Sequence, residues 1–385
     1  MVFLTKKKLN VIIKKVFIMK YLDKGISLIN KIKSYGYDAY LIGGCVRDFL
    51  LNIQSNDIDV ATSMPLDLLK KEFKFKDNGT KYLSITIKHE GVNFEITHFR
   101  KDIEYIDNRH PIVEEVDNLF DDTKRRDFTI NALAIDSNKK IIDYHDGLKD
   151  LEKKQIKAIG NPIKRFEEDA LRILRALYFS SKLNFKIEDN TLEAIKEKAY
   201  LLGNLSNERI YEYFVKIITA KYPKGLNYIK EYDLFRYIPD FKDWLSTVDF
   251  GYDKDELAYL YYLKYKKYPV ISTSLEKKLC LSLADLVNNN FSDFSLYKNK
   301  ESVYKLTKVL DRINVNSRQL KNRINEFPIS YDSELAVSKL EITSHFEDRL
   351  KSAAVNEIIK AVLSKKINND RLSILNYIEV LKDAR

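Results

Sequence analysis

Residues 41–62 read LIGGCVRDFLLNIQSNDIDVAT. The pattern predicts a strand over Tyr37–Ile42, a turn at Gly43-Gly44, a short helix over Val46–Leu51 and a second strand over Asp57–Ala61. Side chains alternate along a strand, so Asp57 and Asp59 share one face and Ile58 and Val60 the other. The apolar face can pack on helices, and the polar face presents two carboxylates about 7 Å apart. Carboxylates that close repel one another. A divalent cation relieves the repulsion, and hard oxygen ligands favour Mg2+. A bare Asp-x-Asp is also a common solvated pair, so the residues ahead of it decide. Gly43 and Gly44 let the backbone approach a ligand closely, helix N-terminal amides favour an anion, and Arg47 adds charge. Gly-Gly-x-Val-Arg-Asp followed nine residues later by Asp-x-Asp is a specific combination. It fits a two-cation phosphoryl transfer that activates a hydroxyl and neutralises a leaving pyrophosphate.

Working outward, Met64–Phe73 predicts a helix with Pro65 in its first turn. Tyr82–Lys88 and Val92–Phe99 alternate with period two around Glu90-Gly91 and predict an antiparallel hairpin. Phe94 and Ile96 face one way and Asn93, Glu95 and Thr97 the other, so Glu95 can bring a third carboxylate to the polar face. From about residue 150 the period becomes 3.6, with helices predicted over Arg165–Lys182, Asn190–Ala199 and Asn207–Ala220. Leu257–Tyr265 and Leu275–Val287 continue the pattern. The expected fold class is α+β: an N-terminal mixed or antiparallel sheet domain followed by an all-helical remainder, without internal repeats.

The 385 residues are 45% hydrophobic and 32% charged, a globular composition rather than a disordered one. Two cysteines, Cys45 and Cys280, exclude a disulfide framework or a thiolate zinc finger and point to a reducing compartment. The five histidines are dispersed and make no metal cluster. No apolar run reaches the length of a membrane span. The formal net charge of +10 invites a nucleic-acid partner. Five of those charges are Lys6, Lys7, Lys8, Lys14 and Lys15 in an acid-free stretch, and without them +5 remains. Met19 opens a normal amphipathic helix, so residues 1–18 are expected to be a start-site artefact. The rival reading is an organelle transit peptide, against which the stretch has neither Arg nor Ser.

Four further segments follow in order. They are RRDFTINALAID at Arg125–Asp136, IIDYHDGLKDLE at Ile141–Glu152, RFEEDALRILRA at Arg165–Ala176, and the start Asn207-Glu208-Arg209-Ile210. With residues 41–62 they resemble the ordered motifs of the polymerase-β-like nucleotidyltransferases, in the branch of bacterial-type (class II) CCA-adding enzymes and poly(A) polymerases. The resemblance runs from about Tyr37 to Ala220. It implies a nucleotidyltransferase head over 19–140, a helical neck over 141–220, and a body and tail over 221–385 that bind tRNA.

The resemblance implies Asp57, Asp59 and Glu95 as the catalytic carboxylates, with Asp57 and Asp59 holding Mg2+. Nucleotide contacts would come from Gly43, Gly44, Arg47, Arg126, Asp127 and Asn131, with Asp127 on the ribose 2′-hydroxyl and Arg126 on sugar or phosphates. Glu168, Asp169 and Arg172 fall on one predicted helix, where Asp169 and Arg172 share a face. Cytosine and adenine both present an amino group beside an acceptor nitrogen, so Asp169 can accept from the one and Arg172 donate to the other. Uracil and guanine present the opposite pattern. Glu168, four residues before Arg172, can hold the guanidinium in position. Arg125-Arg126-Asp127 also reads as a charged helix start, with Phe128, Ile130 and Leu133 as core. The polar stretch Arg100–Pro111, with Arg100, Asp102, Tyr105, Asp107 and Arg109, resembles the family's flexible loop, associated with the switch from C to A incorporation.

The expected activity is addition of C and A from CTP and ATP to a tRNA 3′ end, in the cytoplasm. Alternatives within the family are a poly(A) polymerase or a partial enzyme adding only CC or only A. An alternative of another class is an inactive RNA-binding protein, which the presence of Asp57, Asp59 and Glu95 opposes. The His145-Asp146 pair has no partner histidines near it in the sequence and does not indicate a phosphohydrolase module.

Overall fold

The structure, a computed structural model, describes residues 21–55, 57–77, 84–105, 111–245, 248, 251–268 and 273–383. The basic stretch 1–18 with Met19, and Tyr82 and Leu83 of the expected hairpin, lie outside them. Among the described residues, nine strands precede residue 145. They are β1 (Ala39–Ile42), β2 (Ile58–Thr62), β3 (Phe75–Asp77), β4 (Ser84–His89), β5 (Val92–His98), β6 (Arg100–Tyr105), β7 (Pro111–Glu115), β8 (Ala134–Ile135) and β9 (Ile141–Ile142). Seven form one sheet in the order β3-β4-β5-β2-β1-β8-β9. Only its β2–β5 pair is parallel, so the sheet is mixed.

The alternation read from sequence sets the two faces. Leu41 pairs with Val60, and Ile58 and Val60 pair with Phe94 and Ile96, all buried on one face. The helix of residues 21–34 (α1) covers that face, its buried side chains Leu22, Ile26, Ile29 and Ile32 recurring at helical spacing. Gly25 lies so close to the sheet that a Cβ there would stand 2.8 Å from Leu41 Cδ2. The opposite face carries Ile42 and Ala61, packed with Phe99, Leu119 and Ala134. Asp59 belongs to this second face, and its register partner is Glu95.

The helices of this part are α2 (Gly44–Leu50), α3 (Leu66–Glu72), α4 (Leu119–Lys124), α5 (Gly147–Glu152), α6 (Pro162–Glu168), α7 (Leu171–Leu183), α8 (Asp189–Lys198), α9 (Asn207–Ile218), α10 (Lys224–Glu231) and α11 (Pro239–Leu245). α7 packs against α9 and α10. At the α10 crossing the Gly225 N–H donates to Ser181 Oγ at 2.8 Å, and a Cβ at Gly225 would lie 2.2 Å from the Leu177 carbonyl. Gly225→Ala must therefore push the helices apart. The expected loss is about 1–3 kcal/mol, the usual cost of overpacking, read as a lower urea midpoint at unchanged m.

Three sequence expectations change. The helix expected over Arg165–Lys182 is broken between Glu168 and Leu171. Asp169 is extended (φ −149°, ψ 102°), and its Oδ1 accepts the Leu171 N–H at 2.9 Å. A short polar side chain that bonds nearby backbone competes with the helix, and no Gly or Pro marks the place. Arg125–Asp127 does not start a helix, since Arg125 caps the C-terminus of α4. Phe128, Ile130 and Leu133 are fully buried, as expected. The stretch expected to be a loop begins and ends as an antiparallel ribbon, β6 with β7, its register shifting between Asp102 and Glu104.

A second compact unit spans Tyr252–Arg385, the first ending at Gly251. Its helices are α12 (Lys254–Tyr265), α13 (Ser274–Asn288), α14 (Asp293–Lys305), α15 (Thr307–Arg312), α16 (Ser317–Asn325), α17 (Lys339–Ser344), α18 (Lys351–Leu363) and α19 (Arg371–Asp383). Asp253/Glu256 and Thr273/Glu276 form reciprocal capping boxes that start α12 and α13. Leu279, Leu283, Leu296 and Leu310 centre one apolar cluster, and Ile358, Ile359, Ile374 and Ile378 another. Cys45 and Cys280 are buried free thiols. Among the described residues no helix is long and apolar enough to cross a membrane.

Candidate active site

A cleft of about 680 Å3 opens within the first unit. Its lining includes Gly43, Gly44, Arg47, Asp57, Asp59, Arg100, Asp102, Arg126, Asp127, Asn131, Asp169 and Arg172, twelve residues singled out from sequence and drawn from 130 positions of chain. β1 delivers Gly43, whose N–H donates to the Leu133 carbonyl at 3.1 Å. Gly43 has φ +82°, where glycine alone is unstrained. A Cβ there would meet Arg126 Nη1 at 3.1 Å and Asp59 Oδ2 at 3.5 Å, so the glycine keeps the space between cation and carboxylate open.

Asp59 is mostly enclosed and its carboxyl is pushed up to about 6: burial is the largest cause, Arg126 opposes it, Glu95 and Asp57 add to the rise, and Arg47 opposes. A carboxyl in that setting, with Asp57 two residues away, fits a divalent cation that would return it to the ionised form. Glu95 is exposed and stands opposite Asp59 in the sheet, outside the lining of the cleft. Among the described residues no three His, Cys, Asp or Glu side chains form a metal cage. Mg2+ is commonly held by one or two carboxylates together with substrate phosphates, which suits Asp57 and Asp59.

Arg47 is buried. Its Nη1 donates to Asn131 Oδ1 at 2.5 Å and its Nε to Asp48 Oδ1 at 2.8 Å. Asn131 in turn donates to Asp127 Oδ1 at 3.1 Å. Asp127 also takes its neighbour's Phe128 N–H and, on Oδ2, Arg175 Nε at 2.6 Å. Burial pushes the Asp127 carboxyl up, but Arg175, Asn131 and the Phe128 amide outweigh it and hold it below the ordinary value. The residue expected on the ribose is thus also the anchor of Arg175.

Arg172 is buried across the break from α6. Its Nη1 donates to Glu168 Oε2 at 2.7 Å and to the Arg165 carbonyl at 3.2 Å, and its Nη2 to the Arg125 carbonyl at 3.0 Å. Glu168 therefore holds this guanidinium, and also takes Arg165 Nη1 at 2.8 Å. Tyr105 is described only in its backbone, and Asp107 and Arg109 lie outside the described residues.

Several lining residues escaped sequence reasoning: Asp48, Arg125, Arg175, Phe179, Lys182 and Arg209. The signal for three of them, Arg175, Phe179 and Lys182, was present. Arg172, Arg175, Phe179 and Lys182 recur at i, i+3, i+7 and i+10, one stripe of α7, while Ile173, Leu174 and Leu177 fill its core side. Arg47 and Arg175 lie over the Phe179 ring at 4.9 and 5.4 Å, and Lys182 reaches Asp48 at 3.1 Å. Asp122, beneath the cleft, was also missed. Its two oxygens take Arg125 and Arg126, and it is fully buried.

A mixed sheet that sets Asp59 on β2, with Asp57 just ahead of it, against an arginine-lined cleft, roofed by helices, defines a nucleotidyltransferase head. Residues 39–157 match the poly A polymerase head domain, and residues 184–245 a probable RNA and SrmB-binding site of polymerase A. The CCA-adding enzyme of Ligilactobacillus salivarius is 44% identical over 223 residues, 57% of this chain and 55% of that protein. The chain thus spans little more than half the length of that relative. The CCA-adding enzyme of Lactococcus lactis subsp. lactis is 33% identical over 368 residues, 89% of this chain and 92% of that one. The crystal structure of the Bacillus stearothermophilus CCA-adding enzyme, solved in complex with CTP, matches with TM-score 0.74 at 26% identity, covering 94% of this chain and 98% of that one. The chain belongs to the family of CCA-adding enzymes.

Proposed function

We propose that this protein completes the CCA end of tRNA, adding CMP and AMP from CTP and ATP without a nucleic-acid template and releasing pyrophosphate. One observation carries the reading: a single cleft holds Asp57 and Asp59 together with the Asp169 and Arg172 pair. Catalytic carboxylates and a base-reading edge belong together only where a nucleotide is both selected and joined. In the reaction the tRNA 3′-hydroxyl oxygen bonds to the α-phosphorus, the bond to the pyrophosphate oxygen breaks, and the hydroxyl gives up its proton. Asp57 and Asp59 would hold Mg2+, which when bound activates the hydroxyl and neutralises the leaving group. Arg126, beside Gly43 and Asp59, faces the developing phosphate charge. Its Nε is buried with no hydrogen-bond partner among the described residues, which suits a donor whose acceptor is a ligand. Asp127 and Asn131 serve the ribose, and Asp169 and Arg172 read the base.

The head is assigned to residues 19–140, the neck to 141–220 and the tRNA-gripping body and tail to 221–385. The match of residues 184–245 to an RNA-binding region supports RNA contact beyond the head. A cytoplasmic location accords with two free thiols and a tRNA substrate. The deciding experiment is incubation of the purified protein with tRNA ending before CCA, Mg2+ and each NTP in turn, read by product length. Three added residues from CTP plus ATP support the reading. A long A tail, or arrest after CC, selects one of the family alternatives.

The ribbon and the segment it carries give a further expected result. Deleting residues 102–109 should leave CC addition intact and remove addition of the terminal A. A truncated enzyme that still completes CCA would make the segment a spacer.

A further inference from the structure

We propose that Asp122 is a positioning residue for nucleotide addition, holding Arg126 at the catalytic carboxylates and Arg125 beneath the base-reading Arg172. One buried carboxylate then bears on both turnover and base choice. The inference rests on the nucleotide-addition reading. Asp122 lies in α4, has no exposed surface and does not line the cleft, so it acts only through its neighbours. Its Oδ1 accepts from Arg125 Nε at 3.0 Å and Nη2 at 2.7 Å, and from the Arg100 N–H at 3.3 Å. Its Oδ2 accepts from Arg126 Nη2 at 3.0 Å. A carboxylate offers about four acceptor positions, and two guanidinium groups and an amide occupy these.

Each bond leads to a different part of the cleft. Arg126, held through Nη2, places Nη1 beside Gly43 and Asp59. Arg125 is fixed at its side chain by Asp122 and by the Arg100 carbonyl, 3.1 Å from Nε. Its own carbonyl accepts from Arg172 Nη2 at 3.0 Å. Arg100 is the first residue of β6, so the same carboxylate also ties the base of the ribbon to this joint. An Asn at 122 keeps the shape but offers one oxygen, and turns amide hydrogens toward guanidinium hydrogens. One arginine must then let go.

The test measures kcat and KM for CTP, ATP and UTP on tRNA ending before CCA, with melting temperature alongside. Asp122→Asn should lower kcat for CTP and ATP about 10- to 100-fold, the range typical of lost positioning partners. Its preference for CTP over UTP should shrink about 5-fold or more, with KM for tRNA unchanged. Asp121→Asn makes the same charge change in the same helix, on an oxygen that pairs with Lys124, and should keep both quantities within about twofold. Arg125→Lys keeps the cation but loses the fork, and should shrink the preference for CTP over UTP. If Asp122→Asn lowers only the melting temperature, with turnover and preference per folded molecule at wild-type values, the carboxylate is merely structural and the proposal is overturned. Should that variant not fold, Arg125→Lys decides, and unchanged preference there overturns the proposal. A wild-type protein that adds neither C nor A fails the nucleotide-addition reading itself, and this inference falls with it.

Discussion

Asp57→Ala and Asp59→Ala should each abolish nucleotide addition while leaving tRNA binding nearly intact. Neither substitution touches the helical surface expected to grip tRNA, and both remove a carboxylate from the cation-binding face. The expected loss is at least about 10³-fold in kcat, since two-cation clamping underlies much of an acceleration of about 10⁶ or more. Full activity in either variant would sink the assignment. Misfolding is a poor alternative for Asp59. Its carboxyl is raised from 3.8 to about 6, so the folded state binds that proton more tightly than the unfolded one. The stability this contributes is fully present below 3.8 and is lost as pH rises through about 6. In metal-free buffer Asp59→Ala should therefore gain on the wild type in melting temperature between pH 4 and pH 7. A growing deficit over that range would show that Asp59 holds the fold in its charged form.

The second large effect concerns base choice. Asp169→Ala removes the acceptor that meets an amino group and repels a carbonyl, so discrimination against UTP and GTP should relax. The expected size is about 1–3 kcal/mol, the cost of one unpaired buried polar group, or about 5- to 150-fold in relative kcat/KM. Because Asp169 Oδ1 also starts α7, the Ala variant should lose about 1 kcal/mol of stability as well. Asp169→Asn separates the two effects: its oxygen can still cap Leu171, while its amide donates where the carboxylate accepted. It should keep the stability and shift preference toward UTP. Arg172→Ala should weaken use of CTP and ATP together, as both need the donor. Unchanged relative kcat/KM for all four NTPs in both Asp169 variants would mean that the base is read elsewhere.

Although Asp57 lies one residue ahead of β2, the placement of Asp59 was legible in eight or so residues of sequence because strand alternation is strictly local. The same holds for the hairpin that sets Glu95 opposite Asp59, where the parallel register agrees with the face expected from period two. The break at Asp169 was not legible. Periodicity of apolar residues continues through it, and the carboxylate that interrupts the helix does so with a hydrogen bond two residues long. That the stretch expected to be a loop begins as a ribbon was not legible either, since its mixed charges do not alternate with apolar residues and the pairing partner decides.

By itself the sequence determined the strand faces, the carboxylate pair, the helical caps and the order of the motifs, all of which depend on neighbours a few positions apart. The tertiary structure decided which charges meet. Asp127 and Arg175 are 48 positions apart, Arg47 and Asn131 84, and Asp48 and Lys182 134. Partners at such separations leave no periodic trace, because only the packing of remote segments brings them together: α7 carries Arg175 and Lys182 to the cleft, and α2 packs on residues 129–131 to join Arg47 and Asn131. Burial then lets Asp127 hold Arg175 and Asn131 hold Arg47 in place, since a charge removed from water is costly unless its partner arrives with it.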